Sequence, residues 1–180
     1  IQKVRTYRKD FLGFIATMKT LIIRLFSKYK SISKLKKLYS FIDALPASQF
    51  SRRLKLFALS QNLTYLKNEF KNEIFKLFAT KNPHDLGNEV EYQKALKYGF
   101  FILSLKDKKQ YIQSIFKIFT KAIEENPDQS WHAHTAWEIS SCIMDFLTEK
   151  EKDKVEKVFG RKCSKSYSPI PHLGQVQSGT

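Results

Sequence analysis

The sequence predicts an all-α fold built of stacked antiparallel helical hairpins, with about seven or eight helices. Three observations predict it. Apolar residues recur at alternating spacings of three and four over long stretches, which is the period of a helix face. Only 6 Gly and 5 Pro occur in 180 residues, so long helices stay uninterrupted. A hydrophobic fraction of 42% supports a packed core and excludes general disorder.

The first predicted helix is an amphipathic stretch with a broad apolar stripe and basic residues at its ends and on its other faces. A core helix with a solvated basic face explains this pattern. A helix on an anionic membrane surface or in a partner's groove is the alternative. A transmembrane span is disfavoured, because Lys19 and Arg24 interrupt the stripe and the apolar stretch is shorter than the usual ~20 residues. The stripe contains Phe11, Phe14, Ile15, Met18, Leu21, Ile22, Leu25, Phe26 and Tyr29.

Three further helices are predicted before the clearest interruption of the chain. The first of them covers residues 32–44 and ends at a Leu-Pro pair. Ser48 is a suitable N-cap for the second, which reaches a break near Gln61. The third continues after this break over residues 63–80. The loop 81–87 contains both Pro and Gly, and we therefore place the main boundary there.

Four helices are predicted in the second half, where capping residues mark their ends. A side-chain oxygen at the N-cap satisfies a free backbone N–H group of the first turn, and a glycine permits the left-handed turn after the last one. The predicted helices are 89–105 with Asn88 as N-cap and Glu91 at N3, a helix capped by Asp107 that ends before Asn126, 131–147 capped by Ser130, and a last helix that begins with the Thr148–Glu151 capping box and ends at Gly160.

The two hairpins of the second half match each other weakly. Ala95, Leu96, Ile102 and Leu103 correspond to Ala136, Trp137, Ile143 and Met144 at an offset of 41 residues. A repeat of that period is typical of stacked helix pairs. Over residues 47–160 the chain resembles an α-solenoid of the HEAT type, and this resemblance implies a scaffold that binds other proteins. An irregular helical bundle is the alternative architecture.

Positive charge is concentrated in the first part of the chain. Residues 1–80 hold 17 Lys and Arg against four acids, a balance of +13, whereas residues 81–180 hold 15 against 13, a balance of +2. We therefore divide the chain into a basic helical region at 1–80, a helical-hairpin region at 81–160 packed on it within one domain, and an extended tail or linker at 161–180. Within the tail, Tyr167, Ile170 and Leu173 are candidate anchors for a partner.

The charge imbalance predicts a polyanionic partner, and nucleic acid is favoured. Phosphate binding needs only mobile positive charges on one face. Tyr7, Tyr29 or Tyr39 would add base stacking if exposed, although core packing also explains each. An acidic protein is the second partner considered, and an anionic membrane contacted by the first helix is the third. The candidate nucleic-acid-binding residues are Lys34, Lys36, Lys37, Arg52, Arg53 and Lys55.

No motif predicts catalysis, a cofactor, a metal or a small-molecule substrate. The most suggestive residues, His132, His134 and Glu138, are better explained as helix residues, because the two histidines point about 200° apart on a helix and no further ligands complete a metal site. Cys142 and Cys163 are expected to be free thiols in a reducing compartment, which predicts an intracellular protein, cytoplasmic or nuclear. A first residue other than Met suggests part of a larger protein or complex.

Overall fold

The computed structural model describes residues 2–29, 31–46, 48–80, 82–87 and 89–169, with the side chains of 2–12 and 15 left out. In these ranges the chain forms nine α-helices, three short 3₁₀ turns and no strand, which confirms the predicted all-α class. The helices are α1 (Gln2–Lys28), α2 (Ile32–Asp43), α3 (Gln49–Ser60), α4 (Lys67–Phe75), α5 (Pro83–Gly87), α6 (Val90–Gly99), α7 (Leu105–Glu125), α8 (Trp131–Cys142) and α9 (Glu149–Phe159).

The chain divides into two compact units, Ile1–Phe70 and Lys71–Thr180, and the division lies inside α4. We call them the basic unit and the α8 unit. In the basic unit, α3 packs against both α1 and α2. Its Ser48 cap is confirmed, because the Ser48 hydroxyl accepts a hydrogen bond from the Ser51 amide at 3.1 Å. Among the described residues, the buried apolar side chains of this unit are Ile22, Phe26, Leu35, Tyr39, Leu54, Leu56, Ala58, Leu59, Leu66 and Phe70.

The α8 unit is arranged around α8, which packs against α5, α6, α7 and α9. Two buried tyrosines tie the start of the unit to α6 and α7. The Tyr92 hydroxyl donates a hydrogen bond to the Ile74 carbonyl at 2.7 Å and shares another with the Tyr111 hydroxyl at 2.5 Å. Burial and the neighbouring Tyr111 raise the pKa of Tyr92, so both phenols stay neutral and able to donate.

The same chain path occurs twice in this unit. Both α6 and α8 end in a 3₁₀ turn, at Phe100–Ile102 and Met144–Phe146, followed by one buried extended leucine, Leu103 or Leu147. A hydroxyl residue, Ser104 or Thr148, then caps the next helix. In both places the leucine backbone is extended while the leucine side chain stays buried in the core. The connection to the next, capped helix is therefore short.

Several predicted boundaries differ from the structure. Asp107 is not the N-cap of α7: Ser104 is, and its hydroxyl accepts a hydrogen bond from the Asp107 amide at 3.1 Å. Ser130 is at the N-cap of α8 but makes no capping hydrogen bond with its side chain. Loop 81–87 contains the short helix α5, because a proline fits the first turn of a helix. Asn88 lies outside the described residues.

We predict that Thr148→Ala lowers the free energy of unfolding of the α8 unit by about 1 kcal/mol, because it removes the oxygen that accepts a hydrogen bond from the Glu151 amide. Ser130→Ala is the matched control and should change it by less than about 0.5 kcal/mol, since no capping bond is lost. Urea unfolding followed by Trp fluorescence measures this unit, because both tryptophans, Trp131 and Trp137, belong to it. Equal losses in the two variants would contradict the prediction.

Candidate nucleic-acid interface

Helix α2 presents its lysines to solvent. Leu35 and Tyr39 are buried, whereas Lys34, Lys36 and Lys37 are exposed. Lys36 approaches Glu69 at 3.6 Å, an ion pair with the start of α4. Lys34 and Lys37 form no ion pair with a carboxylate of the described residues, and as residues three apart they share one side of the helix. These two lysines are the best placed of the predicted set to contact phosphate.

The predicted basic residues of α3 are engaged within the fold. The Lys55 side chain is only 13% exposed and its ammonium lies 3.0 Å from the Asp43 carboxylate, which ties α3 to the end of α2. Arg52 and Arg53 are half-buried and interact with other groups of the chain. The six predicted residues therefore divide into an exposed set on α2 and a packed set on α3, a difference that their sequence spacing did not reveal.

A cavity of about 460 Å³ lies within the basic unit, between the end of α1 and the turn after α3. The turn is fixed by hydrogen bonds from the Tyr65 and Leu66 amides to the Asn62 carbonyl, both 3.1 Å, and by the buried Leu66 side chain. The Lys34 ammonium lies over the ring of Tyr29, 5.7 Å from the ring centroid. Among the described residues the lining is uncharged and consists of Ile23, Phe26, Ser27, Tyr29, Gln61, Asn62 and Tyr65.

Of the tyrosines proposed for base stacking, Tyr29 lines this cavity and is half-buried. Tyr39 is a core residue, as the alternative interpretation expected. The side chain of Tyr7 lies outside the described residues. Tyr65, which the sequence analysis did not single out, is the second tyrosine that lines the cavity. The predicted break near Gln61 was the available signal, because it marked a turn that presents side chains without a helical partner.

In the α8 unit, His132, His134 and Glu138 do not share one site. Glu138 is 3% exposed, and its two carboxylate oxygens face different donors. Oε1 lies 3.0 Å from the Tyr167 hydroxyl, and Oε2 accepts a hydrogen bond from Gln93 Nε2 at 3.1 Å. His134 Nε2 is 3.5 Å from Oε1. Burial first, and Glu138 second, raise the pKa of Tyr167, so its hydroxyl keeps its proton and donates it.

Part of the predicted tail belongs to this unit. Residues 161–169 form no helix but pack on α6 and α8. Trp137 Nε1 donates a hydrogen bond to the Lys162 carbonyl at 2.7 Å, and the Lys97 ammonium donates to the Tyr167 carbonyl. Tyr167 is therefore an anchor, but it holds this segment to its own unit rather than to a partner. The other two candidate anchors, Ile170 and Leu173, lie outside the described residues.

Two histidines meet on the other side of α8. His84 Nδ1 is 2.7 Å from Thr135 Oγ1, and the His84 and His132 rings are 6.1 Å apart between centroids. His132 is 7% exposed and its Nδ1 has no hydrogen-bond partner among the described residues. Burial lowers the pKa of both rings, with Asp85 and Glu138 partly opposing this at His84. Both histidines are therefore neutral near pH 7.

The remaining reactive groups are shielded. Cys142 and Cys163 are free thiols, and burial raises the pKa of Cys142 to about 12. Burial also raises the pKa of Cys163. In the described ranges no three His, Cys, Asp or Glu side chains are grouped to hold a metal ion. None of the helices in those ranges has the length and hydropathy of a membrane-spanning segment.

Comparison of the chain with known protein families, curated proteins and solved structures found no match. What the chain does must be inferred from its own residues and contacts.

We predict that Tyr167→Phe lowers the free energy of unfolding of the α8 unit by about 1–3 kcal/mol, because the buried acceptors Gln93 Oε1 and Glu138 Oε1 lose the Tyr167 hydroxyl that lies 2.6 and 3.0 Å from them. Tyr98→Phe is the matched control: Tyr98 is 60% exposed and should tolerate the same change. Urea unfolding followed by Trp fluorescence gives both values. Indistinguishable curves for wild type and Tyr167→Phe would show that this network contributes nothing to stability.

The α8 unit should lose stability as pH falls below about 6.5. The pKa values of His84 and His132 are lower in the folded chain than their ordinary value of 6.5, so the unfolded chain binds protons first on acidification. Their contribution is complete above that pH and is lost below it. Urea midpoints at pH 7.5, 6.5 and 5.5 measure the effect, and His132→Leu should flatten the dependence. An unchanged slope in that variant would argue against His132 as a source.

Proposed function

We propose that the chain is a non-catalytic helical binding module that contacts nucleic acid through the exposed lysines of its basic unit. The observation that carries this proposal is the exposure of Lys34 and Lys37 on one side of α2, in a unit with 15 Lys and Arg against three acids. A surface of this kind attracts polyanions over a distance of about 10 Å at moderate salt.

The acids of the basic unit do little to neutralise this surface. Asp43 is paired with Lys55, and Glu69 with Lys36. The third acid, Asp10, belongs to the part of α1 whose side chains are not described. Each of these two carboxylates is therefore matched by one cation, and neither Lys34 nor Lys37 forms an ion pair with a carboxylate of the described residues. Phosphates would contact these lysines without displacing a carboxylate of the described residues.

Nucleic acid fits this surface better than a folded acidic protein does. Its phosphates are evenly spaced, and the flexible lysine stem can reach several of them without fixed geometry. A protein partner would require complementary charges in fixed positions. The Tyr29 ring beside Lys34 adds a stacking surface next to a phosphate contact, which is the combination used by proteins that bind single strands.

The α8 unit is proposed to serve as the scaffold. Its repeated path through α6–α7 and α8–α9 is compatible with the HEAT-like stacking proposed over residues 47–160, in which helix pairs present surfaces to other subunits. Two free thiols support an intracellular site of action, cytoplasmic or nuclear, where cysteines stay reduced.

A second candidate function is contact with an anionic membrane surface through α1. Phe14 and Leu21 are 51% and 47% exposed, and residues seven apart share one helix face. Ile22 and Phe26, by contrast, are buried in the unit. An apolar face on a basic helix is the pattern of helices that lie in a lipid headgroup layer.

The first test is binding of labelled single-stranded and duplex DNA and RNA across a salt series. We expect appreciable binding at low salt and a steep loss with salt. In the variant Lys34→Gln/Lys37→Gln, the slope of log K against log salt should fall by about 1.4 for a single strand, about 0.7 for each lysine removed.

The matched control is Lys150→Gln/Lys157→Gln, which removes the same charge from exposed positions of α9, where acids and lysines alternate. It should leave the slope nearly unchanged. No binding by the intact chain at low salt would refute the proposal. Binding to anionic vesicles, lost in Phe14→Ser/Leu21→Ser, would then favour the membrane alternative.

A further inference from the structure

We propose that the cavity between α1 and the 61–65 turn binds one unpaired base of a single-stranded nucleic acid. This rests on the proposed function and sharpens it, because it names the form of nucleic acid and the place where a base is held. The cavity, about 460 Å³, is within the size range of small-molecule sites, and its walls come from two segments of the basic unit.

Aromatic and aliphatic side chains form the apolar part of the cavity. Tyr29 and Tyr65 contribute rings, and Tyr65 is 40% exposed, so its ring is accessible from solvent. Phe26, which is 2% exposed, and Ile23 close the apolar side. Every base has a π face, so stacking on tyrosine accepts any base and gives affinity with little sequence preference.

Neutral polar groups line the rest. Asn62, Gln61 and Ser27 together offer amide and hydroxyl donors and acceptors, the groups that pair with the hydrogen-bonding edges of an unstacked base. Gln61 Nε2 already donates to Ser60 Oγ at 3.1 Å. Asn62 is half-buried, and its side-chain amide makes no hydrogen bond within the described residues. Asn62 is therefore the amide open to a base edge.

The position of Lys34 selects a nucleotide rather than a neutral aromatic ligand. Its ammonium lies over the Tyr29 ring, 5.7 Å from the centroid, so a base bound in the cavity that Tyr29 lines would have a lysine near its phosphate. No acid is among the lining residues in the part of the chain that the structure describes. A cavity of similar volume in the α8 unit, between α7 and α9, is lined by three lysines together with Glu124 and Glu151, so its charges do not favour an anion in the same way.

A duplex should bind more weakly at this site. Its bases are paired and stacked, and one of them would have to be extruded before it could enter the cavity. An abasic strand retains every phosphate but has no base to insert. Comparison of these ligands therefore separates base binding from the phosphate contacts of the proposed function.

The test is fluorescence anisotropy at one low salt concentration with a 20-nucleotide thymidine strand, an abasic strand of equal length and a 20-base-pair duplex. The intact chain should bind the thymidine strand about tenfold more tightly than the abasic strand. Tyr65→Ala should remove this preference while leaving abasic binding unchanged. Tyr65→Phe retains the ring and should keep it, and Tyr98→Ala, an exposed tyrosine of the α8 unit, should also keep it.

Equal affinity of the intact chain for the thymidine and abasic strands overturns the inference and leaves the proposed function standing, because phosphate binding remains. Failure to bind any of the three ligands overturns both. A preference that persists in Tyr65→Ala, shown by its thermal melt to be folded, places the base elsewhere and also overturns the inference. If Tyr65→Ala does not fold, the comparison of strands on the intact chain decides.

Discussion

Removing a carboxylate from water costs several kcal/mol unless hydrogen-bond donors replace the lost water, and much of the α8 unit is organised around that requirement at Glu138. One donor, Gln93, comes from α6, and another, Tyr167, comes from the segment after α9. Gln93 also binds the Gly87 carbonyl at the end of α5. A Cβ atom at Gly87 would lie 2.5 Å from Thr135 Cγ2, so a glycine is needed for this close approach to α8. Four segments, α5, α6, α8 and the stretch after α9, thus meet in one hydrogen-bond network around a buried carboxylate.

The features that could be predicted from the sequence are those whose partners lie within one helical turn. Ser48, the Thr148–Glu151 pair and Gly160 act as predicted, and Gly160 has the left-handed φ of 76° that favours glycine. Asp107 was predicted as the N-cap of α7, one turn after the true cap Ser104, because the local pattern that identified the other caps fits Asp107 as well. Ser104 and Asp107 bond reciprocally, since Ser104 Oγ also donates to the Asp107 carboxylate at 2.7 Å, and either polar residue resembles a cap.

The features of the candidate sites that could not be predicted are those whose partners are distant in sequence. Lys34 and Lys55 look alike in the chain, and only the packing of α3 on α2 shows that Lys55 is neutralised by Asp43. The walls of the cavity come from residues 23–29 and 61–65, which periodicity assigns to separate helices. Tyr167 follows the last helix in a stretch rich in Ser and Lys, so nothing local marks it as a donor to the buried Glu138.

The two units use polar residues in opposite ways. In the α8 unit the polar groups around Glu138 are buried and paired, so their positions must be accurate. In the basic unit Lys34 and Lys37 are exposed and form no ion pair with a carboxylate of the described residues, and Coulomb repulsion among the unit's excess cations opposes the compact state. A bound polyanion would reduce that repulsion, so its binding free energy would include relief of repulsion already present in the free chain. Linkage then requires that such a ligand, whatever its nucleotide sequence, stabilise the fold of the basic unit.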